Sequence, residues 1–301
     1  MLFSVCITYY FKRNNIEDLL FELNKYKSND LEIIIRNDNT NYKLNIKNNS
    51  KKIKIFNEKK KSLGEIESIK FLLSKSRGKY VTIISDDDLI SHKIFNDIKK
   101  NKLSKQSYIY TSSTKLRDFN KKNKFTTING HHILKNFFLR KLHLSGTVGV
   151  FYSRNFLLKI LGSINIKKYN FDTFLLFSAI LKGRYRFSNF IFGFNNILSS
   201  RISSKKINLQ IYLSDIKNLI SNFNKNMSQD LYYNFSKYNL ENFYSIIFRK
   251  NAKYSLSHIK EINLLILKNN KSKFFKIYFL IFSKLFEYIS KIIYNFFKYL
   301  K

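Results

Sequence analysis

The first 110 residues alternate short apolar runs with stretches of helical spacing, and this alternation constrains the fold more than any other feature. Leu2–Thr8 reads as a buried strand, and Asn14–Tyr26 repeats apolar residues at Ile16, Leu19, Leu20 and Leu23. Leu31–Ile35 is a second buried strand, ended by the turn-prone Arg36-Asn37-Asp38-Asn39-Thr40-Asn41. Lys52–Phe56 is a short strand and Leu63–Ser76 a helix, with Gly78 suited to its C-terminal end. Lys79–Ile84 is a third buried strand and runs into Asp86-Asp87-Asp88. Repeated strand–helix–strand units predict an α/β fold: a mainly parallel sheet flanked by helices. Ligands of such sheets bind beyond the carboxyl ends of the strands, where both the Asn37-Asp38 turn and the triple Asp fall.

Further along, His131–Arg140 and Phe171–Leu181 read as helices, Thr147–Tyr152 and Arg184–Phe192 as strands. From about residue 205 strand signals fade. We therefore expect an α/β domain over 1–204 and a helical C-terminal region over 205–301. The latter ends in an amphipathic helix over about 272–300, with Lys273, Lys276, Lys284, Lys291 and Lys298 on one narrow stripe among Phe, Ile, Leu and Tyr. Such a face suits an anionic membrane surface, and equally suits packing within the protein or a dimer. The opening MLFSVCITYYF lacks a basic n-region and a small-residue cleavage site, so a cytoplasmic location is expected. A single cysteine, Cys6, excludes a disulfide framework and reads as a buried strand residue.

The formal charge of +35 taken alone would favour a nucleic-acid-binding protein without catalysis. The rest of the composition weakens that reading. Pro and Trp are absent and Gly numbers only 8, which together with abundant Lys, Asn, Ile, Phe and Tyr is the mark of A/T-rich coding. The basic excess is spread over both parts of the chain, so no single tail holds it. Against this background the few acids are informative. Three adjacent carboxylates after a buried strand repel one another, so either they are solvated or a cation sits there; Mg²⁺ or Mn²⁺ is the fitting ion, held by one or two carboxylates plus substrate phosphates. An Asp-rich cap for the helix beginning near Ser91 would account for one Asp, not three.

Four segments, in order and spacing, resemble the family-2 nucleotide-sugar glycosyltransferases. Ser4-Val5-Cys6-Ile7-Thr8-Tyr9-Tyr10 is similar to their S-V-V-I-P-T-Y, and Glu32-Ile33-Ile34-Ile35-Arg36-Asn37-Asp38 to E-I-I-V-V-D-D. Gly64 through Gly78-Lys79-Tyr80-Val81 resembles the helix ending in G-e-Y-I, and Ile83-Ile84-Ser85-Asp86-Asp87-Asp88 the aspartate motif. The resemblance implies a GT-A (Rossmann-like) fold and inverting transfer of a sugar from a nucleotide-diphospho-sugar. It also implies that Tyr10 and Asp38 contact base and ribose, with Thr8 and Tyr9 lining the same pocket and Lys70 and Asp86 on the donor side. Asp87 and Asp88 become the metal ligands for Mn²⁺ or Mg²⁺, Asp87 first. Asn37 stands where the family has the first acid of its pair, and Thr8 where it has proline.

Inverting transfer needs a general base for the acceptor hydroxyl. Between Asp88 and Asp172 only Asp97 and Asp118 are acidic, against 17 basic residues. Asp172 opens the run Asn170-Phe171-Asp172-Thr173-Phe174, which resembles the family's E-D, and is the candidate base. At a helix N-terminus it would stay ionised unless burial raises its pKa. His131, His132 and His143 lack metal-ligand spacing; Lys59, Lys60 and Lys61 read as a solvated run, and Arg184, Arg186 and Arg201 as candidates for phosphate contact. The expected activity is a glycosyltransferase acting on a glycan or lipid-linked acceptor in bacterial surface polysaccharide or lipopolysaccharide synthesis. It would work at the inner face of the cell membrane, without nucleic acid as a partner.

Overall fold

The computed structural model describes residues 1–10, 16–46, 52–59, 61–100, 109–114, 130–139, 144, 147–163, 171–181, 185–194, 209–223, 227–235 and 237–239. The chain divides into two compact units, Met1–Arg201 and Ile202–Lys301.

The first unit begins with β1 (Phe3–Tyr9), α1 (Ile16–Asn24), β2 (Leu31–Asn37), β3 (Ile53–Asn57), α2 (Glu65–Lys75) and β4 (Tyr80–Ser85). It continues with β5 (Leu89–Ile90), α3 (Lys93–Lys100), β6 (Ile109–Thr114), α4 (Gly130–Phe138), β7 (Val150–Ser153), α5 (Arg154–Ser163), α6 (Phe171–Leu181) and β8 (Tyr185–Phe194). The eight strands form one sheet in the order β3-β2-β1-β4-β7-β6-β8-β5. β1 pairs in parallel with β2 and β4, and β2 with β3, as the sequence pattern demands. The far side is mixed: β7 runs antiparallel to both β4 and β6, β6 is parallel to β8, and β5 is antiparallel to β8. The sheet is therefore mainly parallel around the first three motifs and mixed beyond β4.

Strand alternation divides the side chains of β1 and β2 between two faces. Phe3, Val5 and Ile7 with Leu31, Ile33 and Ile35 join Leu19 and Leu23 of α1 and Phe95 of α3 in a buried cluster. Phe3 anchors it, its ring 5.1 Å from that of Phe95 and 5.6 Å from that of Phe151. Fully burying each such side chain is worth about 2 kcal/mol. The opposite face, lined by Ser4, Cys6 and Thr8 with Glu32, Ile34 and Arg36, lies under α2, whose Ile66, Ile69, Leu72 and Leu73 are buried.

Topology fixes where a ligand can enter. From β1 the chain steps to β2 and β3 on one side, then crosses by α2 to β4 on the other. The carboxyl ends of β1 and β4 therefore border a switch point, the crevice where open α/β sheets bind ligands.

The second unit contains α7 (Leu209–Phe223) and helical runs over 229–235 and 237–239. Tyr212, Ile216, Leu219 and Phe223 are buried at helical spacing, and Asp215 on the same helix is also buried. The expected amphipathic helix over about 272–300 lies outside the described residues. No helix among the described residues is long and apolar enough to cross a membrane.

Candidate functional site

The ends of β1, β2 and β4 meet through their backbones. The Asp38 amide donates to the Tyr9 carbonyl at 2.9 Å, and the Asp86 amide to the Thr8 carbonyl at 3.2 Å. The Tyr10 amide returns a bond to Asp86 Oδ2 at 3.1 Å, and Asn39 Nδ2 donates to the Tyr10 carbonyl at 2.8 Å. Thr8, Tyr9, Tyr10, Asp38 and Asp86, singled out separately in the sequence, thus form one group at the switch point. Tyr10 leaves an exposed ring there, while Tyr9 is buried against Tyr42. Burial, the neighbouring Tyr42 and Asp86 push the Tyr9 hydroxyl up to about 12, so it remains a protonated donor.

Asp86-Asp87-Asp88 makes a tight turn, with the Asp88 amide donating to the Ser85 carbonyl at 3.3 Å. Asp86 and Asp88 are buried, whereas Asp87 between them is only half-buried. Asp86 is committed to the Tyr10 amide, which leaves Asp87 the most accessible carboxylate of the three. Among the described residues no three His, Cys, Asp or Glu side chains converge as a ready-made metal cage. A Mg²⁺ or Mn²⁺ ion that takes most of its ligands from a diphosphate and water needs no cage, and an accessible carboxylate at a strand end fits it.

Asp38 works inward. Its carboxylate accepts from Ser62 Oγ at 2.6 Å and from the Leu63 and Gly64 amides at 2.9 Å each. It thereby clasps the turn that opens α2, where Gly64 adopts φ +81°, a conformation side-chain-bearing residues rarely accept. Leu63 is left exposed on this turn. Asn37 is buried and binds Asn57 Oδ1 through Nδ2 at 2.8 Å, while its Oδ1 receives the Asn39 amide at 3.0 Å. Asn57 in turn brackets the Leu44 amide and carbonyl, so two amides shape the loop after β2.

Two predicted residues stand apart from this group. Lys70 lies on the exposed face of α2, its Nζ 2.6 Å from Glu67 Oε1. Asp172 sits in the first turn of α6, its Oδ1 accepting from the Thr173 amide at 2.7 Å. Its side chain is exposed, yet surrounding protein desolvates it enough to raise its pKa above the ordinary carboxylate range despite that bond. Its charge helps burial raise the hydroxyl of Tyr152 on β7. His131 and His132 are exposed on α4; His143, Arg184 and Arg201 lie outside the described residues, as does Lys60.

The sequence reading missed Arg36, Asn57 and the Ser62-Leu63-Gly64 turn. Arg36 carried a signal: a charged residue directly after the apolar run Ile33-Ile34-Ile35 of a buried strand.

The model of glycosyl transferase family 2 matches residues 4–160, more than half of the chain. The chain belongs to that family. It is a glycosyltransferase of the GT-A fold. A structure of TarS residues 1–349 from S. aureus, solved with UDP-GlcNAc, superposes with a TM-score of 0.63 at 15% identity, covering 89% of this chain and 81% of that one. A further structure of S. aureus TarS gives 0.54 at 16% identity, covering 89% of this chain and 49% of that one. At such identities the likeness is one of fold. No curated protein sequence matches the chain. Within the family pattern, the glycosyltransferase differs at β2, where Arg36-Asn37-Asp38 stands against V-D-D.

Proposed function

We propose that the glycosyltransferase transfers a sugar, with inversion, from a nucleotide-diphospho-sugar bound at the β1/β4 switch point. The observation that carries this reading is the joining of three strand ends by the Asp38 amide on the Tyr9 carbonyl, the Asp86 amide on the Thr8 carbonyl and the Tyr10 amide on the Asp86 carboxylate. The nucleoside lies against Thr8, Tyr9, Tyr10 and the Asp38 turn, and Lys70 contributes from α2. Asp87 and Asp88 would hold Mn²⁺ or Mg²⁺, and the ion would supply positive charge for the departing diphosphate. Asp172 accepts the proton of the acceptor hydroxyl as that oxygen bonds to the anomeric carbon and the bond to the nucleoside diphosphate breaks. The acceptor is a glycan or a lipid-linked sugar of surface polysaccharide synthesis. The Lys-edged terminal helix would hold the enzyme peripherally at the inner face of the membrane.

The test is turnover of UDP-, GDP-, dTDP- and CMP-sugars with Mn²⁺ or Mg²⁺, beginning with UDP-GlcNAc. One donor should be consumed in a metal-dependent way. Because burial raises Asp172, activity should fall on acidification at a pH above the ordinary carboxylate range, and Asp172→Asn should lower kcat by about 10²–10⁴-fold and remove that limb. Turnover indifferent to chelator, or an unaltered Asp172→Asn, would sink the mechanism.

A further inference from the structure

Beneath the Asp38 turn lies a charge that no step above uses. Arg36 is the sixth residue of β2, opposite Thr8 of β1 and Phe56 of β3, and only 4% exposed. Its guanidinium spans two carboxylates: Nη2 donates to Glu58 Oε2 at 2.6 Å, and Nε lies 3.7 Å from Asp38 Oδ1. Its flat face rests 4.3 Å over the Phe71 ring of α2, which packs edge-on against Phe56. Nε has no hydrogen-bond partner, an unusual state for a buried donor.

The two carboxylates hold opposite ends of one loop. Glu58 begins the β3–α2 connection, its amide bonded to the Asn37 carbonyl at 2.9 Å. Asp38 grips the end of the same connection at Ser62, Leu63 and Gly64. One planar cation beneath both therefore sets the spacing of the loop's two ends, and with it the position of exposed Leu63 on the turn that Asp38 clasps. Arginine suits this position because its fork engages two acceptors in fixed geometry and its face stacks on an aromatic ring, neither of which lysine reproduces.

We infer that Arg36 is a positioning residue for the nucleoside half of the donor, acting through Asp38 and Glu58 on the 58–64 loop without touching the diphosphate half. This deepens the donor-site reading and rests on it. Removing the guanidinium takes from Asp38 and Glu58 the cation they share, so the clasp loosens while the Asp86–Asp88 turn on β4 keeps its own backbone bonds. The consequence is a split between ligands that share phosphates but differ in carrying a nucleoside.

The experiment measures binding of UDP, GDP, dTDP and inorganic pyrophosphate, each with Mn²⁺, to the full chain and to Arg36→Leu and Arg36→Lys by calorimetry, with melting curves alongside. Arg36→Leu should bind the preferred nucleoside diphosphate at least ~10-fold more weakly, the equivalent of one lost charge-assisted bond, with pyrophosphate unchanged. Arg36→Lys should recover part of the loss. Should Arg36→Leu fail to fold, Arg36→Lys and Glu58→Gln carry the same comparison and should show the same nucleoside-selective weakening. Equal weakening of both ligands, or none, in folded variants overturns the inference alone. A wild type that binds pyrophosphate but no nucleoside diphosphate overturns the donor-site reading and this inference with it.

Discussion

The face of the sheet under α2 carries a buried charge at each end, and the two are treated differently. At the amino ends, Glu32 accepts from Ser4 Oγ at 2.7 Å and from the Arg77 amide and Nε, while the Gly78 amide donates to Ser4 Oγ at 2.8 Å. Every one of these bonds is internal, and they tie β1, β2 and the residues before β4 into one knot. At the carboxyl ends, Arg36 keeps a bare Nε, Tyr10 and Leu63 are exposed, and Asp87 is only half covered. The same strands thus hold a polar cluster turned inward at one end and one with solvent-exposed members at the other. Buried, mutually bonded polar groups give rigidity, whereas solvent-exposed ones are within reach of a ligand. Variants at the two ends should accordingly fail in different ways.

The largest expected effect is at the carboxyl ends. Asp87→Ala should lower turnover by about 10²–10³-fold, since it removes a carboxylate that would hold the cation stabilising the departing diphosphate. Its melting temperature should stay within about 2 °C of wild type. A large loss of stability would erase the contrast. At the amino ends, Gly78→Ala should be the most damaging change, because a Cβ there would lie 2.5 Å from Ser4 N and from Ser4 Oγ. Such overpacking against backbone costs about 3 kcal/mol, read as a falling denaturation midpoint with turnover per folded molecule intact. A stable Gly78→Ala would show that the knot yields. Glu32→Gln is milder, about 2 kcal/mol for one charged acceptor lost among several donors. Burial alone would raise the Glu32 carboxyl, but bonds from Ser4 and Arg77 hold it below its usual range. Its contribution is therefore present at neutral pH and lost as pH falls through that lowered value. Wild type and Glu32→Gln should converge in stability under acid, and parallel denaturation curves from pH 7 to 3 would contradict this.

How much of this was legible in the sequence depends on what each residue answers to. The strands β1, β2 and β4 were readable because they are buried on both faces and so appear as largely apolar runs. The placement of Asp86–Asp88 and Asp38 at strand ends was readable because each follows directly on a buried strand. β5 was not, being two residues long. Nor was β6, whose Ile-Tyr-Thr-Ser-Ser-Thr lacks apolar continuity, nor α5, which follows β7 without an intervening turn residue. The mixed half of the sheet depends on those elements, so its strand directions were hidden too. Within the site, residue types were visible but partners were not. Asp38 reads as a ligand contact from its position alone, and only the fold shows three donors from residues 62–64 on its carboxylate. The Asp172 carboxyl illustrates a competition the sequence leaves open: desolvation by the surrounding protein raises its pKa, bonds from Thr173 in the first helical turn lower it, and desolvation prevails.

Asn37, where the family pattern has an acid, clasps the loop after β2 through Asn57 with uncharged amides. An uncharged clasp is neither screened by ions nor released by protons. In a chain with so large a positive charge, this part of the pocket wall should keep its shape across salt concentrations and pH values that rearrange charge pairs at the surface. The cell's ionic conditions can then alter how fast an anionic donor arrives without altering the outline it meets.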